Sequence, residues 1–230
     1  MKVHAFEPAN ASSFLRSLFV LVFLTCLCAF PSFCALAGSH QDIVNDVSVR
    51  YAYPTPYERI ADVDFLNLPF HYFNDKGKPD FTVKLKDGWY SVRNREMGFE
   101  AVELDAVQYL PSLDADRQYA VVWYTWSIGS GGSPMGGIAQ VFELYKHRLA
   151  AIQQLEWDKE FDTSKPYISF NEESHTLVIR AAHYLPQDAH CCVSAMDVVT
   201  FNWNGSAFVN PGMHPELSDY GIRMGKKLDP

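Results

Sequence analysis

Between residues 80 and 209 the chain alternates apolar and polar positions, broken at short intervals by turn-forming residues. In FTVKLKDGWYSV, Phe81, Val83 and Leu85 alternate with Thr82, Lys84 and Lys86 up to Asp87-Gly88, and Trp89 resumes the pattern. Alternation on both sides of an Asp-Gly pair predicts a hairpin, because this pair accepts the positive φ angles of a two-residue turn. AVELDAVQYL reads as a further extended stretch. QYAVVWYTWSI, residues 118–128, is apolar at nearly every position. A run of that length, rich in Val and aromatics, predicts a central strand covered on both faces.

The loop GSGGSPMGG leads into IAQVFELY, and a KHR turn returns the chain through LAAIQQLEW. YISFNEESHTLVIR turns at residues 172–174, and VVTFNWNGSAFV at Asn204-Gly205. At least eight strands joined mostly by tight turns predict a mainly β fold with little helix. The expected architecture is an antiparallel meander closing into a sandwich, a barrel or a propeller-like sheet. The flanks are less regular. Pro54, Pro56 and Pro69 interrupt residues 38–79, which are expected to be an irregular segment with at most a short helix over YERIADVDFLNL. Residues 80–210 form the expected β domain, and 211–230, without periodicity, a surface extension ordered in part.

The N-terminus carries a processing signal. Lys2 and Arg16 precede the apolar run LFVLVFLTCLCAF, then Pro31, then Ala35-Leu36-Ala37. A run of thirteen residues falls short of the roughly 20 a membrane span needs. The order of basic, apolar and small residues predicts a signal peptide over 1–37, cleaved after Ala37, and therefore a periplasmic or secreted protein with no stable membrane span after cleavage. The alternatives are an uncleaved anchor running to Leu36 and acylation at Cys26, whose neighbours suit a lipid-acceptor site poorly.

Removing that segment leaves 193 residues, enough for one domain with a sizeable core. Without Lys2, Arg16 and Glu7 the chain holds 17 basic and 26 acidic residues, a net charge of −9. Such a chain repels polyanions, which argues against nucleic acid as a partner and leaves another envelope protein as the natural one.

Few motifs carry chemistry. Gly131 and Gly132 lie in a loop rich enough in glycine to cradle an anion, but no lysine and helix follow, so a mobile loop near a binding surface fits better. With Trp126 at its edge, that loop is the candidate contact surface. Asp114 and Asp116 have the alternate spacing of a calcium loop, yet Gln118, Tyr119 and the lack of a glycine spoil the later positions. Glu172-Glu173 sits at a predicted hairpin tip. No nucleophile-elbow or metalloprotease signature occurs, and neither a catalytic residue nor a cofactor is expected.

HYLPQDAHCCVS gathers His183, Asp188, His190, Cys191 and Cys192 within ten residues. Thiolate and imidazole select soft metals, which makes His183 and His190 candidate ligands. Adjacent cysteines seldom bind one ion, however, because the backbone has no room to turn around it. After signal removal Cys191 and Cys192 are the two cysteines left, in a compartment that oxidises thiols. Pairing with each other gives a vicinal disulfide, a rigid turn that gains almost nothing from chain entropy. A metal contact, a redox-active pair and an intermolecular bridge stay open beside it.

From about residue 81 to 209 the order of elements resembles secreted bacterial proteins of the LppP/LprE-type lipoprotein family. VKLKDGWY is similar to that family's V-x-L-x-D-G-x-Y hairpin, LDADRQYAVVWY to its turn and AVV strand, and GSGGSPMGG to its Gly-Ser-rich loop. HYLPQDAHCCVS and FNWNG match its H-x-x-P-x-D-x-x-C-C-P-S segment and its final Y-x-W-x-G hairpin, with Val193 in place of the proline. The resemblance implies a secreted β domain and no assigned reaction. The functional expectation is a non-enzymatic binding or envelope-associated module. The alternatives are an inhibitor or immunity-type protein that blocks a partner enzyme, and a metal or thiol-redox protein using residues 183–192.

Overall fold

The computed structural model describes residues 44–92, 101–127, 136–158, 168–189 and 192–228. Twelve strands are found among them: β1 (Val44–Tyr53), β2 (Pro69–Phe73), β3 (Pro79–Lys84), β4 (Trp89–Ser91), β5 (Ala101–Leu110), β6 (Arg117–Ser127), β7 (Gly136–Tyr145), β8 (Arg148–Asp158), β9 (Ile168–Asn171), β10 (Thr176–His183), β11 (Ala195–Trp203) and β12 (Phe208–Leu217). A 3-10 turn, Ile60–Asp62, and a five-residue helix, α1 (Asp219–Arg223), complete the elements. The fold is mainly β and antiparallel, as the alternation predicts. The sheets are open: six strands in the order β1-β8-β7-β6-β5-β4, four in the order β12-β11-β10-β9, and the pair β2-β3. This is sandwich-like packing, with no closed barrel.

The six-stranded sheet is the middle layer. Along β6, Ala120, Val122, Tyr124 and Trp126 enter one core with Phe70, Phe73, Val83 and Leu85 of the β2-β3 pair. Tyr119 and Val121 enter a second core with Leu177, Ile179, Val199, Phe201 and Trp203 of the four-stranded sheet. Period-two geometry sends successive side chains to opposite faces, so an unbroken apolar run must be covered twice. QYAVVWYTWSI reads this way in sequence, and its described residues 118–127 pack this way. Each large side chain so buried contributes on the order of 1.5–3 kcal/mol.

The turns follow their residues. Asp87 and Gly88 take φ of 53° and 82°, and Lys86 and Trp89 exchange backbone hydrogen bonds around them. The turn does not join two strands of one sheet: β3 pairs with β2 and β4 with β5, so Asp87-Gly88 carries the chain from the outer pair into the middle layer. Gly205, with φ of 96°, turns β11 into β12, and the Asn204 side chain accepts from the Ser206 and Ala207 N–H groups.

The flanks depart from the expectation of irregularity. Residues 38–79 supply β1, which pairs with β8 along most of its length, and β2. The helix expected over 57–68 shrinks to one 3-10 turn, because Gln118 takes the backbone of this segment: its amide oxygen accepts from Ile60 N at 2.8 Å and its nitrogen donates to Glu58 O at 3.1 Å. At the other end β12 crosses residue 211 and runs to Leu217, and α1 follows behind the N-cap Ser218. Periodicity is hidden there by Pro211, Gly212 and Pro215, which an outer strand tolerates because its outward N–H groups need no partner.

Two adjacent side chains fix both covering layers to the middle one. Gln154 accepts from Phe73 N at 3.2 Å and donates to Phe73 O at 2.9 Å, on the β2 side. Gln153, pointing the other way, accepts from Phe208 N at 2.9 Å and donates to Phe208 O at 3.0 Å, on the β12 side. Each amide thereby replaces a missing strand partner for one peptide unit of the layer above it, which would otherwise be buried unpaired.

A candidate functional site at the loop between β10 and β11

β10 and β11 run antiparallel with His183 opposite Ala195 and Ala181 opposite Asp197, which places the described residues 184–189 and 192–194 in the connection at one end of the four-stranded sheet. His183 and Asp197 sit on diagonal positions of the pair. His183 Nδ1 lies 2.8 Å from Asp197 Oδ2, with the carboxylate buried and the imidazole half-exposed. A carboxylate at Nδ1 orients the ring with Nε2 directed away from it, the arrangement shared by metal-binding and proton-accepting histidines.

The loop itself is organised by Asp188. Its carboxylate is wholly inaccessible and accepts from Leu185 N at 2.9 Å, Ser194 N at 2.8 Å, the Ser194 hydroxyl and Lys226 Nζ at 2.5 Å. Burial on its own would raise the Asp188 carboxyl. The bonds from Lys226, Ser194 and the two backbone N–H groups outweigh burial and hold it well below the usual carboxylate range.

Lys226 reaches this position because the C-terminal segment wraps the loop. Ser218 N donates to Ser194 O at 3.0 Å, the Ser218 hydroxyl to Val193 O at 2.7 Å, and the same hydroxyl accepts from Gly221 N. Gly221 lies so close that a Cβ would stand 2.0 Å from Ser194 O, so α1 approaches only with glycine there.

Ser194 Oγ and Lys226 Nζ are 2.6 Å apart, the pairing of a serine–lysine nucleophile. The surroundings oppose that chemistry. Such a dyad works with a neutral amine beside an accessible hydroxyl. Here the amine is the counter-charge of a buried carboxylate, and Ser194 is wholly buried with its hydroxyl directed at Asp188. The cluster locks the loop against the tail.

Of the residues singled out from sequence, His183 is thus placed in an oriented pair and Cys192 is half-buried, with its N–H donating to Ala189 O at 3.0 Å. His190 and Cys191 lie outside the described residues, as do Gly131 and Gly132. Trp126 is a core residue, 8% exposed and pressed against Gly136, and so cannot offer a contact surface. Among the described residues no group of three or more His, Cys, Asp or Glu side chains is placed to hold a metal ion.

Ser194, Asp197 and Lys226 were silent in the sequence. Ser218 carried a local signal, a serine followed by Asp219 at the start of a helix. Lys226 carried none, being 38 residues from its carboxylate.

A second polar feature flanks the β7–β8 turn. Glu58, Asp116, Gln118, Leu144, Lys146 and His147 line an open cleft of about 280 Å³. Beside it the Arg117 guanidinium and the Lys146 ammonium stand 4.3 Å and 4.9 Å from the centre of the Tyr145 ring. Asp114 and Asp116, spaced in sequence like a calcium loop, form a turn: Asp114 Oδ1 accepts from Asp116 N at 3.0 Å and Oδ2 pairs with Arg117. No family model, curated protein or solved structure matches this chain.

Proposed function

We propose that this chain is a non-enzymatic, secreted or periplasmic β domain of the LppP/LprE type that acts as a binding or envelope-associated module. What supports the reading is the commitment of the polar side chains in the 183–194 loop. Asp188, Ser194 and Lys226 are spent on one another in a buried cluster, and the remaining polar groups that dock the layers are spent on backbone. A scaffold so tied leaves function to its surface.

The test is retention of an envelope component. The mature chain is immobilised and exposed to an envelope extract, and saturable, competable retention is expected. Turnover of a small molecule by the purified chain, with nothing retained, would overturn the reading.

The pair His183–Asp197 favours one further reading, a soft-metal contact through Nε2. Metal analysis of protein purified from the periplasm is its check, and substoichiometric copper and zinc would end it.

A further inference from the structure

Asn204-Gly205 is the one Asn-Gly pair in the sequence, and it stands in the turn between β11 and β12. Glycine is required there twice over: its φ is 96°, and a Cβ would stand 2.6 Å from Leu113 Cγ. Asn204 and Ser206 are exposed and Gly205 is half-buried. The base of the turn is fixed by Asn204 N, which donates to Ala207 O at 3.1 Å, and by Trp203 Nε1, which donates to Pro111 O at 2.6 Å.

The parts of an intramolecular reaction meet in these residues. The electrophile is the side-chain amide carbon of Asn204, whose oxygen accepts from Ser206 N at 3.0 Å, the Ser206 hydroxyl at 3.0 Å and Ala207 N at 2.9 Å. Donors at a carbonyl oxygen stabilise the negative charge that it takes on when a nucleophile adds to the carbon. The nucleophile is the next nitrogen in the chain. Gly205 N has no hydrogen-bond partner among the described residues, so no bond must break before it turns onto the amide carbon. The leaving group is the amide nitrogen of Asn204, which likewise has no partner among the described residues and belongs to an exposed side chain.

A second pair in the molecule shows the opposite arrangement. Asp87-Gly88 could close the same ring, with water leaving in place of ammonia. Gly88, however, is buried; its N donates to Leu66 O at 2.8 Å, and its O accepts from Leu104 N at 2.8 Å. That residue is held on both sides, and its nitrogen is not free to turn.

We propose that the β11–β12 turn is a self-modification site, at which Asn204 converts in the folded protein to a succinimide and then to an aspartyl or isoaspartyl residue. Gly205 N gives its proton to solvent base and adds to Asn204 Cγ, forming a C–N bond. The Cγ–Nδ2 bond breaks, and the amide nitrogen leaves as ammonia with a proton from water. Water then adds to either carbonyl of the ring and opens it. The net change is one water taken up and one ammonia released, with no oxidant or cofactor. Opening at the backbone carbonyl routes the chain through the former side chain, so an extra backbone carbon and a new carboxylate stand between Trp203 and Phe208, beside Leu113. The inference goes beyond the binding reading and stands without it.

The experiment ages the mature chain in mildly alkaline buffer, folded and unfolded in urea. Positions 87 and 204 are followed by peptide mapping with fragmentation that distinguishes aspartyl from isoaspartyl linkages. Each folded rate is divided by the rate of the same residue in the unfolded chain, which removes the intrinsic difference between Asn and Asp. Position 204 is expected to react in the folded chain at least as fast as in the unfolded one, and position 87 far more slowly. Ser206→Ala removes one of the three donors and leaves both backbone donors in place, with the thermal midpoint unchanged. It should slow position 204 by roughly threefold, well short of the roughly 100-fold of a donor inside a closed active site, because this turn faces water. A ratio at 204 as low as that at 87 overturns the proposal, since the turn would then protect its amide. Unchanged or faster conversion in Ser206→Ala overturns it as well, because the hydroxyl would then be a bystander or a restraint.

Discussion

The two layers that cover the middle sheet are docked by the same device and finished differently. Gln153 holds the four-stranded cover and Gln154 the two-stranded one. On the four-stranded side the polar groups close on themselves: the Gln153 amide also reaches Asp46 Oδ1 at 3.0 Å, and the loop beyond His183 is tied by Asp188. On the two-stranded side Gln140 donates to His71 O and to Gln154, but its own oxygen is buried without a hydrogen-bond partner, and so is the Tyr53 hydroxyl. His71 lies between Tyr51 and Tyr53, with ring centroids 4.3 Å and 5.1 Å away. A two-stranded cover lying over the unpartnered Gln140 oxygen and Tyr53 hydroxyl of the middle sheet is held less firmly than a four-stranded cover tied by Gln153 and, at its loop, by Asp188. The two-stranded cover is the first to open.

The largest effect expected is from removing the clamps. Gln154→Leu leaves the Phe73 N–H and C=O buried and unpaired, and Gln153→Leu does the same to Phe208. Each should cost about 3 kcal/mol, since each strands two backbone groups. Denaturant unfolding measures the loss, and native-state hydrogen exchange localises it: the Phe73 amide should lose protection in one variant and the Phe208 amide in the other. Equal loss at both amides in both variants would show that the covers open as one unit.

Next in size is Asp188→Asn. Lys226 then keeps its charge beside a neutral amide, and the tail loses its hold on the loop. A loss of about 2 kcal/mol is expected, less than the ~3–5 kcal/mol of a deeply buried pair because Lys226 retains some contact with water. Lys226→Met added to that variant should recover part of it. Stability unchanged by Asp188→Asn would mean that α1 and Ser218 hold the loop unaided.

Acid should separate the covers in a fixed order. Burial lowers the His71 imidazole from its ordinary 6.5, so the folded form binds fewer protons than the unfolded chain between those two values. The stability it contributes is complete above pH 6.5 and is lost as pH falls from there toward the folded value. Asp188 is depressed from 3.8, and its contribution is lost when pH falls below that value. The protection factor at Phe73 should therefore fall as pH drops below 6.5, while that at Phe208 holds until pH passes about 4. In His71→Phe the first step should vanish.

The sequence was informative wherever structure follows from near neighbours. Alternation located β5 to β11, Asp87-Gly88 and Asn204-Gly205 marked turns, and the apolar run of β6 announced two covers. It failed where a segment takes its conformation from a distant side chain. Ile60 is held by Gln118 and Phe73 by Gln154, so nothing within residues 57–73 states that the backbone there will be bonded from outside. The candidate loop shows the same limit. Its histidine and cysteines draw attention in the sequence, but Asp188 organises it, through a lysine near the other end of the chain. The histidine's partner Asp197 lies inside a run of apolar strand residues, where period two hides a buried acid among valines.

The smallest effect tests the middle sheet alone, away from both clamps. The β7–β8 turn is Lys146-His147, at φ of 48° and 60°, where a two-residue turn of this hand ordinarily takes Asn-Gly. Neither side chain gains from that conformation, while Lys146 stacks on Tyr145 and both line the adjoining cleft. Replacing the pair by Asn-Gly should relieve backbone strain and raise stability by about 1 kcal/mol, seen as a higher thermal midpoint with the exchange pattern of both covers unchanged. A drop in stability would assign the Lys146–Tyr145 stack more weight than the strain, and would make the turn a third tie of the sheet rather than a strained corner kept for its cleft.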